Sequence, residues 1–155
     1  MAKRYWLFKS EPSEFSFEDL ARAREQTTFW DGVRNYQARN LLRDEIQVGD
    51  GVLYYHSSTE PTAVIGTAEV VRAGYPDHTQ FDPKSSHFDP GAKPEEPRWY
   101  MVDIRLVRSF AQPVPLATLK QTPGLAGMTL LQRGSRLSVQ PVSAAEWEIV
   151  CRLGG

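Results

Sequence analysis

Tyr5-Trp6-Leu7-Phe8-Lys9-Ser10-Glu11-Pro12 is a short apolar run, rich in aromatics, that ends abruptly in polar residues. Four consecutive apolar residues fit a strand buried on both faces. Pro12 lacks an amide hydrogen and biases Glu11 away from helical geometry, so the strand stops there with Lys9, Ser10 and Glu11 at its tip. Further strands are expected at Val52-Leu53-Tyr54-Tyr55-His56, at Ala63 to Ala73, at Trp99 to Arg108 and at Arg136 to Gln140. The second and third read as a hairpin with a polar loop, and Gly66 marks a bulge or a close approach within it. From Val102 to Arg108 apolar and polar residues alternate, placing Asp103, Arg105 and Arg108 on a solvated face. Arg136, Ser138 and Gln140 share one face of the last strand, with Leu137 and Val139 on the other.

Helices punctuate these strands. Ser16 stands three residues before Asp19, with Phe15 and Leu20 placed to staple the turn, so a helix is expected from Phe17 to about Arg24. Asn35 precedes Ala38, Leu41, Leu42 and Ile46, whose spacing forms one apolar stripe. Pro113-Val114-Pro115 breaks the chain before a short helix around Leu116 to Lys120. Ser143-Ala144-Ala145-Glu146 is a capping box, Val142 and Trp147 are its staple, and the closing helix carries Trp147, Val150 and Cys151 inward. Regular strand-helix alternation is missing, so five or six strands with helices between some of them predict an α+β domain, a small mixed β-barrel flanked by helices.

The 155 residues suit one domain spanning 1–155. Hydrophobic residues at 41% and charged residues at 24% match a chain that folds by itself. A single cysteine, Cys151, cannot form an internal disulfide, and no stretch reads as a signal peptide or membrane span. The expectation is a soluble, cytoplasmic protein without membrane contact. Net charge is −1, yet the bases Arg98, Arg105, Arg108, Lys120, Arg133 and Arg136 face only Asp103, beside an acidic segment from Gly74 to Pro97. Such a division would orient a bound polyanion. Within the acidic segment Phe-Asp-Pro occurs twice, at 81–83 and 88–90, as turns.

Candidate chemistry gathers around Trp30-Asp31-Gly32-Val33-Arg34-Asn35, which combines an aromatic plane, an acid, a glycine, a base and an amide between two helix-like segments. Trp30 reads either as a core anchor or as the wall of a pocket, and Asn35 as a ligand contact or a helix cap. The catalytic signs are weak. Cys151 has no base nearby in sequence, His78 and His87 fit no compact metal spacing, and no phosphate-cradling loop is present. No cofactor or metal is expected, and no enzyme.

Several long motifs then converge in order. The strand Tyr5 to Pro12, Trp30 to Asn40, Phe88-Asp89-Pro90, Pro97-Arg98-Trp99 and Gly134 to Val142 together resemble the EVE domain across nearly the whole chain. The resemblance implies a PUA-like fold related to YTH and ASCH domains, and a module that binds DNA or RNA by inserting a modified base into an aromatic-lined pocket. In YTH readers a strand ending in Lys-Ser is followed by a helix and a pocket tryptophan, and Lys9, Ser10 and Trp30 match that order. The expected base pocket comprises Trp30, Ser10, Glu11, Asn35, Tyr55, His56 and Ser57, with Lys9 and Arg136 on phosphates. The alternatives are an enzyme acting on nucleic acid or a modified nucleotide, and a protein-interaction domain without a nucleotide pocket.

Overall fold

A computed structural model describes residues 3–133 and 137–155. Its framework is a six-stranded mixed sheet: β1 (Tyr5–Ser10), β2 (Thr27–Phe29), β3 (Gly51–His56), β4 (Ala63–Pro76), β5 (Tyr100–Pro115) and β6 (Val139–Val142). The order is β2-β5-β4-β3-β1-β6. Only β1 and β3 run parallel, with Phe8 opposite Tyr54 and Ser10 opposite His56. β1 lies inside the sheet, and alternation divides its side chains between two cores. Trp6 and Phe8 join Trp30, Leu42, Tyr54, Val70 and Ile104 on one face. Leu7 joins Leu53, Tyr55, Phe110, Leu119 and Val150 on the other. All of these are buried, as a strand covered on both faces requires.

The expected barrel is corrected to an open sheet, because β2 and β6 end the order and do not pair. Bulges supply curvature in place of closure. The pairing of β4 with β5 shifts register at several points, including Val64/Gly66 and Thr67/Ala68. Bulges of this kind bend a strand and increase its twist. Gly66 has both expected roles: it sits at a bulge, and a Cβ there would overlap the Arg108 carbonyl oxygen and come within 2.6 Å of the Phe17 ring. Between Leu106 and Arg108 the register skips Val107, which is 56% exposed on the same side as Asp103 and Arg105. The last strand begins at Val139 rather than Arg136 and buries both Val139 and Gln140. The Gln140 side-chain amide donates to the Leu137 carbonyl at 2.8 Å. Arg136 lies outside the described residues.

Among the described residues five α-helices cover the sheet: α1 (Pro12–Phe15), α2 (Phe17–Arg22), α3 (Tyr36–Asn40), α4 (Leu116–Gln121) and α5 (Ala144–Gly154). Ser16 and Asp19 form a reciprocal capping box on α2, and Ser143 and Glu146 form another on α5. Each satisfies two backbone N–H groups that would otherwise be orphaned. The α3 helix widens into one π-turn at Leu41–Glu45, which still buries Leu42. After this turn Asp50 accepts from Trp6 Nε1 at 2.9 Å and from the Gln47 and Arg4 amides. Among the described residues no helix is long and apolar enough to cross a membrane.

Candidate functional site

The tip of β1 and the Trp30 loop enclose an open cleft of about 670 Å³. β2 brings Trp30 there: Thr28 and Phe29 pair with Ile104 and Asp103 of β5, and the Trp30 amide continues the ladder to the Val102 carbonyl at 2.8 Å. The indole packs against Phe8, with centroids 5.2 Å apart, and edge-on to Tyr54 at 5.4 Å. Only 8% of Trp30 stays exposed. It is thus a core anchor and a lining residue together.

The loop that follows is held from behind by Asp77, whose side chain is fully buried. One carboxylate oxygen accepts from the Gly32 amide at 2.8 Å and from Arg34 Nη1 at 3.0 Å; the other accepts from the Thr79 amide and hydroxyl. Burial by itself would raise the Asp77 pKa, but the Thr79, Gly32 and Arg34 donors outweigh it and hold the carboxyl below the usual range. Arg34 also donates from Nη2 to the His87 carbonyl at 2.7 Å and lies over Trp99. Gly32 has φ +81° and its Cα lies against the His87 imidazole, where any Cβ would come within 2.6 Å of Nε2. Gly32 and Arg34 therefore clamp the Trp30 loop to the acidic segment. Asp31 faces the cleft with its pKa raised by burial and by the neighbouring Asp77 charge.

The opposite wall is the β1 tip with α1. Ser10 Oγ donates to the Phe15 carbonyl at 2.7 Å, and Tyr54 Oη donates to the same oxygen at 2.8 Å. Glu11 accepts from Ser58 at 3.2 Å. The Lys9 amide donates to the Ser138 carbonyl, and its half-buried ammonium has a pKa lowered by desolvation. Among the described residues Lys9 takes part in no ion pair.

Lys9, Ser10, Glu11 and Trp30 thus meet at one cleft. The other expected pocket residues are placed elsewhere. Tyr55 points into the far core, 3% exposed, because it is one residue out of phase with Tyr54. His56 Nε2 accepts from the Phe17 amide at 3.0 Å at the start of α2, and burial lowers its pKa, so the ring is a neutral acceptor. Ser57 joins the strand tips through its amide, which donates to the Ser10 carbonyl at 3.0 Å. Asn35 caps α3, its Oδ1 accepting from the Ala38 amide at 3.0 Å. Residues that line the cleft outside the expected pocket include Glu14, Phe15, Phe29, Asp31, Ser86 and His87. Thr27-Thr28-Phe29 has β-branched residues before an aromatic, which favour a strand, but over a run too short to announce one. His87 carried no signal, being brought in by the fold of the acidic segment.

An apolar floor with three acids, several hydroxyls and, among the described residues, one cation outside any ion pair suits an organic ligand that is flat, polar at its edges and attached to an anion. No group of acids, histidines or cysteine among the described residues could hold a metal ion.

The sequence pattern of the EVE domain matches residues 4–153. The chain belongs to the EVE domain family. Human thymocyte nuclear protein 1 is 42% identical over 96% of this chain and 73% of its own length. A structure from Leishmania major superposes with a TM-score of 0.92 at 47% identity, covering 99% of this chain and 95% of that one. The human THYN1 protein has been crystallised in complex with 5-methylcytosine-containing DNA; it matches this EVE domain with a TM-score of 0.91 at 40% identity over 98% of both chains.

Proposed function

We propose that this EVE domain is a reader of nucleic acid carrying a modified cytosine, and that the base enters the cleft between the Trp30 loop and Lys9-Ser10-Glu11. The observation that carries this reading is the close match, along the whole fold, to the human protein in complex with 5-methylcytosine-containing DNA. The cleft's chemistry supports it. A base taken out of its stack needs an apolar surface for its faces and polar groups for its edges. Trp30, Phe15 and Phe29 share the apolar lining. Glu11 or Asp31 would accept from the exocyclic amino group of cytosine, as acids do when they read that base. Lys9 is a desolvated cation, so a backbone phosphate beside it would offset its burial, positioning the strand without reading sequence. Arg136 is proposed as a second phosphate contact from its place in the sequence, two residues before the Ser138 wall.

The domain acts by binding, without turnover. Burial pushes the Cys151 thiol pKa up, which disfavours a thiolate nucleophile. The reading places the protein in a compartment that holds its nucleic acid.

Fluorescence anisotropy with a labelled 5-methylcytosine oligonucleotide tests the site. Trp30 is too buried to serve as a clean probe, since Trp30→Ala would cost about 3–5 kcal/mol of stability. Lys9→Gln and Asp31→Asn are better, and each is expected to weaken binding about tenfold, in line with loss of a charge-assisted contact, with melting temperatures near the wild type. Wild-type affinity in both variants would move the site elsewhere, and release of an altered base on prolonged incubation would indicate an enzyme.

A further inference from the structure

A second hollow of about 290 Å³ lies beside the cleft and shares Arg34, Ser86 and His87 with it. Trp99 lines this hollow, fixed by Nε1 donating to Asp89 at 2.7 Å and by its amide donating to Gln80. The Tyr36 ring stacks on Trp99, centroids 4.9 Å apart and planes 27° from parallel, yet 53% of Tyr36 is exposed. Over Tyr36, 4.9 Å from its centroid, lies the Arg39 guanidinium. Arg39 is held by Nη1 donating to the Arg98 carbonyl and Nε donating to Asn40, both at 2.9 Å.

Unlike its neighbours Arg39 makes no direct ion pair among the described residues, and its charge reaches Asp44, already paired with Arg43, only at longer range. Arg34, Arg43 and Arg98 pair with Asp77, Asp44 and Asp89. Among the described residues Arg39 is in no ion pair, and its Nη2 end has no hydrogen bond. A pre-oriented guanidinium on an aromatic plane is built to meet a planar or bidentate anion, and a phosphodiester satisfies that geometry. The layer does not stand alone: Arg39, Tyr36, Trp99 and the hollow form a continuous series of contacts leading to the cleft.

We propose that Arg39 and Tyr36, with the hollow beside Trp99, form a subsite for the backbone of the nucleotide adjacent to the one whose base enters the cleft. The subsite rests on the base-reading function for its neighbour but makes a different demand. It contacts backbone, so it strengthens binding to modified and unmodified strands alike.

The test is a salt series of anisotropy titrations with two oligonucleotides of one sequence, one carrying 5-methylcytosine and one cytosine. Arg39→Gln is expected to weaken both by a similar factor, about fivefold to tenfold, and to reduce the slope of log affinity against log salt by about 0.7–0.9. Arg39→Lys should retain the slope, and Tyr36→Leu should weaken both strands while keeping it. An Arg39→Gln protein with wild-type slope overturns the subsite, whether its affinity is unchanged or reduced through the fold. The base reading fails separately. A wild type that binds both oligonucleotides equally, with the slope still falling in Arg39→Gln, supports the subsite and rejects the base pocket. Wild-type preference for 5-methylcytosine with no slope change in the variant does the reverse, and a wild type that binds neither oligonucleotide overturns both.

Discussion

Trp30 and His56 show how one side chain can serve a fold and frame a site. The Trp30 indole is fastened between Phe8 and Tyr54, and what remains exposed lines the cleft. Sequence made Lys9, Ser10, Glu11 and Trp30 legible as a group because a strand tip and a loop with mixed chemistry are places where polar groups stay accessible. It misdirected at Tyr55. Parity along β3 sends Tyr54 toward Trp30 and Tyr55 away, and a choice between adjacent aromatics cannot be made before the strand's register is known. His56 reads as a satisfied acceptor, and this has a pH consequence. Its folded pKa is depressed by burial, so the unfolded chain takes up the proton first as pH falls. Stability attributable to His56 is full above its unfolded pKa of about 6.5 and is lost as pH drops from there through the folded value. In denaturant titrations across pH 5 to 8, His56→Gln should flatten this fall while keeping an acceptor for the Phe17 amide. An unchanged pH profile in that variant would mean His56 is not the titrating group.

At the scale of elements, the capping boxes of α2 and α5 were legible to the residue, because four adjacent positions decide them. β2 was not. Three residues on the edge of a sheet have too little pattern to announce a strand, and its existence depends on β5 lying alongside. The register shift opposite Val107 was not legible for a related reason, since it is set by pairing with β4 and not by local sequence. Pro113-Val114-Pro115 was expected to break the chain, yet β5 continues to Pro115, with Val114 opposite Val64 and Pro115 opposite Ala63. Gly66 is the position where sequence and packing agree most closely. Gly66→Ala would force its Cβ into the Arg108 backbone and the Phe17 ring, and the expected loss is about 1–3 kcal/mol, the usual cost of overpacking. A reduced melting temperature and a lower denaturant midpoint would register it. Wild-type stability would show that the β4–β5 bulge yields more easily than its contacts suggest.

For the whole molecule, the α+β class followed from strands interrupted by helices, whereas closure could not be read. An open and a closed sheet use the same strands and differ in whether the terminal ones meet. The cleft likewise assembles from β1, α1, the Trp30 loop and the acidic segment, separated by up to 129 residues from Lys9 to Ser138. Asp77 and Arg34 join two of these pieces, which gives the acidic segment a structural duty that its composition did not disclose. The central claim is that this assembled cleft distinguishes a methylated cytosine. Burial of one methyl group is worth about 0.8 kcal/mol, roughly fourfold in affinity. The most direct measurement is a competition titration of the wild-type protein against two oligonucleotides of identical sequence, differing only in one 5-methyl group. At least a fourfold preference for the methylated strand is predicted, and equal affinity for the two would contradict the account.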